Sequence, residues 1–207
     1  MITDEESARA FCADIADQAG FDRLEQYVIL LTQENARQNL VSRASLEQVW
    51  QRHIADSLQL LRYTTGESSP WLDLGSGAGP PGIVIALARP DCTVHLVESR
   101  KRRAQWLEHV ADACGLRFCT VHCARLQDVA TFQASAISAR AFAPLGRLLE
   151  LSARFSTPNT FWLLPKGRSS GQELAKQPSD VRALFHVEQS LTDPAAGLLI
   201  GQGKAPV

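Results

Sequence analysis

The chain has 207 residues, of which 45% are hydrophobic and 21% are charged, and its net charge is -1 at pH 7. This composition is ordinary for one soluble domain, or one domain with an extension, and long enough to bury a core. The near-zero charge excludes nucleic-acid binding through an overall basic excess, so any such site has to be a local patch. The acidic N-terminus lacks the apolar core of a signal peptide and no run approaches the length of a membrane span, so we expect a cytoplasmic protein.

The cysteines are odd in number and include no Cys-x-x-Cys pair. They are Cys12, Cys92, Cys114, Cys119 and Cys123. This pattern predicts reduced thiols that serve mostly as small buried apolar residues. We therefore expect no zinc site and no other metal site.

The first third of the chain is predicted to be helical. Thr3 opens a capping-box pattern for a first helix, and Gly20 is expected to end that helix. A second helix is predicted from about Asp22 to Gln38. Ser45 opens another capping-box pattern, for a third helix that ends near Leu61. A polar loop follows and leads into the rest of the chain.

From Trp71 onward, short apolar segments alternate with helical patterns, which predicts a parallel sheet with helices on both faces. One strand begins at Trp71, and further strands are expected at 93–97, 118–121, 134–138 and 160–164. The predicted helices lie at 100–114 and 145–155. Two short strands near the end, 185–191 and 198–200, are expected to form an antiparallel pair. The chain thus divides into a helical extension, residues 1–66, and an α/β domain, residues 67–207.

A glycine-rich segment, 73–82, reads DLGSGAGPPG and joins the first strand to a helix. Gly75, Gly77 and Gly79 permit positive φ angles and remove the Cβ atoms that would keep a ligand away. The loop leads to a helix N-terminus, which favours a carboxylate or phosphate group. Glu98 ends the next strand, where an acid can accept both hydroxyl groups of a ribose. The segment therefore predicts a site for a nucleoside cofactor.

Two kinds of cofactor fit this loop. Residues 77–82 satisfy the G-x-G-x-x-G pattern of dinucleotide-binding proteins, which permits a dehydrogenase. The longer form that begins at Asp73 instead resembles motif I of class I S-adenosylmethionine-dependent methyltransferases. The helical extension and the hairpin-like tail also fit that class better. We therefore expect its fold, a Rossmann-like α/β sheet with helices on both faces.

Five motifs, in order and across nearly the whole chain, resemble the glucose-inhibited division protein B family. They are Asn39-Leu40, the segment 52–57 that contains Arg52, His53 and Asp56, the loop 75–82, SARAFA at 138–143 and LPKG at 164–167. Members of this family methylate N7 of a guanine in bacterial small-subunit ribosomal RNA. The resemblance implies S-adenosylmethionine as cofactor, and 16S ribosomal RNA or the small subunit as partner. It further implies guanine 527 as the target. We also expect no DNA or membrane partner, and a monomer.

The resemblance also assigns the cofactor site. Its residues would be Asp73, Gly75, Gly77, Gly79, Pro80, Glu98, Leu126, Gln127 and Arg140. Gly75 and Pro80 would line the methionine part and Glu98 would bind the ribose. Leu126 and Gln127 would edge the adenine. The family usually has Gly-Leu-Pro-Gly where this chain has GPPG at 79–82, and an acidic pair where this chain has Gln127 and Asp128.

The expected chemistry needs little from the protein beyond alignment. Guanine N7 has an unshared electron pair at neutral pH, so its attack on a sulfonium methyl group requires no deprotonation. Base selection would come from hydrogen bonds to the base edges and from stacking. Arg140 and Phe142 follow a strand end, where such a pocket forms. Arg140 is therefore our candidate catalytic residue.

Basic residues near the predicted site are candidates for binding RNA. They are Arg52, His53, Arg102, Arg103, Lys166 and Arg168. The two arginines at 102–103 begin a helix and oppose its dipole, so a phosphate partner and a solvated face are both open. His53 and Asp56 fall on adjacent helical turns and could pair, in a catalytic or an interdomain structural role.

Two other functions are compatible with the sequence. The first is methylation of a small molecule or a protein by the same fold. The second is a cofactor-sensing RNA-binding protein without turnover.

Overall fold

A computed structural model of the chain describes residues 1–65 and 68–206. The N-terminal part is helical, as predicted. Its elements are α1 (Glu5–Ile15), α2 (Gln18–Gln38), α3 (Arg43–Leu46), a π-helix (Trp50–Ala55), α4 (Asp56–Leu58) and a 3₁₀ helix (Gln59–Tyr63). The predicted domain boundary between residues 66 and 67 lies outside the described residues.

The first two helices are capped by aspartates, and here two predictions were wrong. Asp4, rather than Thr3, caps α1, because its carboxylate accepts the N–H of Ser7 at 2.8 Å. Gly20 does not end the first helix but lies inside α2. Asp17 caps α2 and accepts the Gly20 N–H at 2.6 Å, so the new helix has already begun when the chain reaches Gly20.

The predicted third helix is divided into short segments. Ser42, rather than Ser45, caps α3, and its Oγ accepts the N–H of Ser45 at 3.2 Å. The π-helix then begins afresh at Trp50. The carboxylate of Glu5 accepts the N–H groups of Trp50 and Gln51 at 3.0 and 2.8 Å, so α1 supplies the cap for this segment.

Within residues 1–65 and 68–206, seven strands form one sheet in the order β3-β2-β1-β4-β5-β7-β6. The strands are β1 (Trp71–Leu74), β2 (Val94–Val97), β3 (Cys119–His122), β4 (Ala136–Ala139), β5 (Phe161–Lys166), β6 (Phe185–Gln189) and β7 (Gly197–Gln202). The first five are parallel, and β7 is antiparallel to both β5 and β6. The predicted parallel sheet and terminal antiparallel pair are thus confirmed.

Five α-helices follow the first strand among the described residues, besides two short 3₁₀ helices, Leu126–Asp128 and Ala153–Phe155. The five α-helices are α5 (Gly82–Ala88), α6 (Lys101–Ala113), α7 (Leu145–Ser152), α8 (Ser170–Ala175) and α9 (Ser179–Leu184), of which the last two were not predicted. Every residue of α5 is buried, because α5 packs between the sheet and the N-terminal helices. One apolar core on that face joins α1 and α2 to α5, α6 and the sheet, and a second core fills the other face.

The carboxyl ends of β1, β2, β4 and β5 meet at one edge of the sheet, where ligands bind in folds of this kind. In the part of the chain that the structure describes, no helix is long and apolar enough to cross a membrane.

Candidate cofactor and substrate site

The glycine loop after β1 has the backbone conformation that its sequence predicts. The φ angles of Gly75, Gly77 and Gly79 are 68°, 57° and 131°, in the region that favours glycine. A Cβ at Gly75 would lie 2.7 Å from Cδ2 of Phe142. A Cβ at Gly77 would instead meet only Arg103 Nη1 and Gly75 O, both at 3.6 Å. The backbone at Gly77 is therefore open to a ligand.

Two aromatic side chains fix this loop from the helical side. The carbonyl oxygen of Ala78 accepts the indole N–H of Trp106 at 2.8 Å and the hydroxyl of Tyr27 at 3.2 Å. Trp106 belongs to α6 and the fully buried Tyr27 to α2. No sequence motif signals these contacts, since the partners are far apart in the chain.

Glu98 also holds the loop. Its Oε2 accepts the N–H of Gly77 at 3.0 Å, and its Oε1 accepts the N–H of Arg100 at 2.7 Å. The carboxylate is buried at the end of β2, next to the open face of Gly77. The predicted contact of Glu98 with a ribose is compatible with this position and stays a prediction.

Asp73 lies fully buried at the carboxyl end of β1. Its Oδ1 accepts the hydroxyl of Ser138 at 2.6 Å, and that hydroxyl oxygen accepts the indole N–H of Trp71 at 2.8 Å. Oδ2 has no hydrogen-bond partner among the described residues. Burial raises the pKa of Asp73 to about 6, although the hydrogen bond from Ser138 acts in the opposite direction.

Arg140 follows β4 and joins the sheet to the N-terminal helices. Its guanidinium donates to the carbonyl of Arg52 at 3.2 Å and to Nδ1 of His53 at 3.1 Å, and it lies 3.6 Å from Oδ2 of Asp56. His53 and Asp56 thus form no hydrogen bond with each other. The predicted pair is replaced by two separate contacts with Arg140, which His53 makes from the π-helix and Asp56 from the first position of α4.

His53 is neutral in this arrangement. Burial, Arg140 and Arg52 together lower its pKa to about 3. A guanidinium can only donate, so Nδ1 is the acceptor and Nε2 carries the proton. That Nε2–H is buried and has no partner among the described residues.

A cavity of about 330 Å³ lies against these side chains. Arg52, His53, Asp56, Arg140 and Lys166 all line it. It is bounded by the π-helix, by the carboxyl ends of β4 and β5, and by the segment that connects β6 to β7. It is therefore on the side of the sheet where the glycine loop also ends.

The candidate RNA-binding residues separate into two groups. Three of them, Arg52, His53 and Lys166, line the cavity. Arg168 is exposed and directly follows the lining residue Gly167 in the sequence. Arg102 and Arg103 are on α6 instead. Arg102 is exposed in a second cleft, together with Arg37 of α2, whereas Arg103 is half-buried beside Gly77.

The predicted adenine-contacting residues lie in a 3₁₀ turn, Leu126–Asp128, after β3. Leu126 is buried and its carbonyl oxygen accepts a hydrogen bond from Arg154, whereas Gln127 is exposed. Their contact with adenine stays a prediction.

Comparison with known proteins settles the family. The family described as rRNA small subunit methyltransferase G matches residues 21–196. A relative of that name from Erythrobacter litoralis is 54% identical over 99% of both chains, and one from Novosphingobium aromaticivorans is 50% identical over 100% of this chain and 92% of its own. The chain belongs to the rRNA small subunit methyltransferase G family. The predicted resemblance is thus confirmed.

The fold of this family member is also found in solved methyltransferases. A methyltransferase from Geobacter sulfurreducens gives a TM-score of 0.60 at 12% identity and covers 86% of this chain and 90% of its own. A precorrin-6y C5,15-methyltransferase from Geobacter metallireducens gives 0.54 at 11% identity, with 81% and 92% covered. At sequence identities this low, the two similarities are evidence for the fold alone. They confirm the predicted class I methyltransferase fold.

Proposed function

We propose that the chain transfers the methyl group of S-adenosylmethionine to N7 of one guanine in 16S ribosomal RNA, guanine 527 by family resemblance. We propose further that it acts in the cytoplasm as a monomer, on the small subunit or on its RNA. One observation carries the proposal. In a member of this family, an open glycine loop and a cavity lined by charged side chains lie at the same edge of the sheet, where Arg140 follows β4.

The residues present suit the proposed cofactor. Gly77 leaves backbone space that a Cβ would occupy, and Glu98 is a buried acceptor directly beside it. Asp73 adds a buried carboxylate oxygen without a protein partner among the described residues. We assign the cofactor to Asp73, Gly75, Gly77, Gly79, Pro80, Glu98, Leu126, Gln127 and Arg140.

The proposed mechanism is alignment rather than acid–base catalysis. Bound S-adenosylmethionine supplies an electrophilic methyl group on a sulfonium. With this group bound, the N7 electron pair would form the new C–N bond, the electron pair of the C–S bond would remain on sulfur, and the guanine would gain the positive charge. His53 does not serve as a base for this step, because its Nδ1 accepts from Arg140 and its pKa is about 3.

Arg140 is the residue that we propose to orient the guanine. Two groups of the N-terminal helical segment, the Arg52 carbonyl and His53 Nδ1, accept hydrogen bonds from its guanidinium, and Asp56 lies close enough to balance its charge. A substituted side chain that no longer positions the base would slow transfer more than it weakens cofactor binding.

The test is single-turnover transfer of labelled methyl to small subunits that lack the modification, with the product mapped by mass spectrometry. We expect one N7-methylguanine, and Arg140→Ala should lower the rate by about 100-fold. Calorimetry should show a much smaller change in S-adenosylmethionine affinity. Arg147→Ala, on the exposed face of α7, is the matched control. Tight binding of cofactor and RNA without transfer would instead favour a sensing protein.

A further inference from the structure

A residue that lines the cavity beside Arg140 has a buried donor that the proposed mechanism leaves unused. His53 lines this cavity and is only 6% exposed. Its Nδ1 accepts from Arg140 at 3.1 Å, which leaves Nε2–H as the remaining donor of the ring. Nε2 has no partner among the described residues, and an unsatisfied buried donor costs stability. A protein can tolerate this cost at a binding site, because a bound ligand supplies the missing acceptor.

The charges around the cavity indicate what kind of ligand fits. Its three cationic side chains each face an acid. Arg52 contacts Asp193 at 3.1 Å, Arg140 lies 3.6 Å from Asp56, and Lys166 contacts Glu173 at 3.0 Å. With His53 neutral, these groups carry no net charge. The three cations that line the cavity are thus already paired with acids, which is compatible with an uncharged polar ring, and Arg168 adds a positive charge near Asp193.

We infer that His53 reads the O6 atom of the target guanine from the wall of this cavity, as the residue that distinguishes guanine from adenine. The inference rests on the proposed function. Guanine presents N7 and O6 as neighbouring acceptors, whereas adenine presents an amino group in place of O6. An Nε2–H donor can therefore form a hydrogen bond with guanine O6, whereas it would meet a second donor in the amino group of adenine. Because O6 and N7 share one edge, this hydrogen bond also fixes the position of N7.

The protonation state of His53 makes this assignment specific. A protonated imidazole would not accept the hydrogen bond from Arg140. The other neutral tautomer would leave no donor at Nε2. The contact with Arg140 therefore selects the one form of the ring that offers a single N–H to the base. Since Nε2 is covered by its neighbours, a lining side chain has to give way as the base enters.

Two variants separate the two ring nitrogens. His53→Asn keeps an acceptor near the position of Nδ1, where Arg140 donates, but removes the donor at Nε2. His53→Gln places an amide N–H near the position of Nε2. The exposed His186 provides the matched control, His186→Asn. All three proteins are first compared with the parent chain by thermal unfolding and by S-adenosylmethionine calorimetry, so that a general loss of structure is detected.

The substrates are small-subunit RNAs with guanine, 2-aminopurine or inosine at the target position. 2-Aminopurine lacks O6, whereas inosine keeps O6 and lacks the 2-amino group. On guanine and inosine, we expect His53→Asn to lower single-turnover kcat/KM by about 10-fold or more, the usual effect of losing a hydrogen bond to a buried donor. On 2-aminopurine the same variant should have little further effect. His53→Gln should recover part of the loss on guanine.

Equal losses by His53→Asn on guanine and on 2-aminopurine would overturn the assignment, because no energy would then couple His53 to O6. So would full activity of His53→Asn on guanine. If the parent chain methylates no guanine N7 in any of these RNAs, the proposed function fails as well. If the parent chain methylates N7 but His53→Asn loses the same activity on guanine as on 2-aminopurine, only this inference is contradicted and the proposed function stands.

Discussion

Asp73 is fully buried at the end of β1, and a buried carboxylate is costly to ionise. Its pKa is raised from 3.8 to about 6, so the folded chain holds the proton more tightly than the unfolded chain. The contribution of Asp73 to stability therefore falls as the pH rises from about 4 to about 6, and it is constant above that range. The same carboxylate is among the proposed cofactor residues.

Asp73→Asn removes this titration and keeps an oxygen that accepts from Ser138. The free energy of unfolding of the parent chain, relative to the variant, should fall by up to about 3 kcal/mol between pH 4 and pH 7. Urea unfolding of both proteins across that range measures the difference. A difference that does not change with pH would show that Asp73 keeps an ordinary pKa.

Residues in local motifs were the most predictable part of the site. The positive φ angles of the loop glycines and the place of Glu98 after β2 agree with the predicted order of strand, turn and helix, whereas their contacts with the cofactor stay a prediction. The partners of Arg140 were not found, because its hydrogen bonds reach residues 87 and 88 positions away. A regular helix predicts that His53 pairs with Asp56, whereas in the structure His53 of the π-helix and Asp56 of α4 each contact Arg140.

Among the elements, helix ends were predicted least well, for a related reason. The carboxylate of Glu5 caps the segment that begins at Trp50, 45 residues later, and no local pattern contains that information. The short helices α8 and α9 have six residues each and too few turns for an apolar periodicity. Strands were easier, since β1 and β4 are buried throughout and are almost continuously apolar.

The first turn of α6 contains basic residues and no acidic residue, which opposes the helix dipole and favours an external anion. If Arg102 contacts RNA phosphate, Arg102→Ala should reduce the slope of log affinity against log salt by about 0.7. S-adenosylmethionine affinity should not change in this variant.

Arg103→Ala provides the comparison within the same turn. Because Arg103 Nη1 lies beside the open face of Gly77, this variant should also weaken S-adenosylmethionine binding. Filter binding of RNA across a salt series and calorimetry of the cofactor measure both effects. An unchanged salt slope in Arg102→Ala would show that Arg102 does not contact RNA phosphate and only belongs to a solvated helix face.

For the whole molecule, the alternation of strands and helices predicts the parallel sheet, but it predicts neither the order of the strands nor the packing of the N-terminal helices. These helices share one apolar core with α5 and α6. Leu24, Tyr27 and Leu31 of α2 are fully buried. Tyr27 additionally connects the helical part to the glycine loop, and Arg140 connects it to the end of β4.

We therefore predict that residues 68–207 do not form a stable methyltransferase domain alone. At about 1.5–3 kcal/mol for each large apolar side chain, the three buried residues of α2 contribute roughly 5–9 kcal/mol. This is comparable to the whole stability of a typical domain, about 5–15 kcal/mol. The truncated chain should lose cooperative urea unfolding, expose apolar surface to a fluorescent dye, and fail to bind S-adenosylmethionine. A separately added peptide of residues 1–65 should restore part of that binding, because the interface that it forms is apolar and extensive. Cooperative unfolding and cofactor binding by the truncated chain would show that the helical part is a dispensable extension.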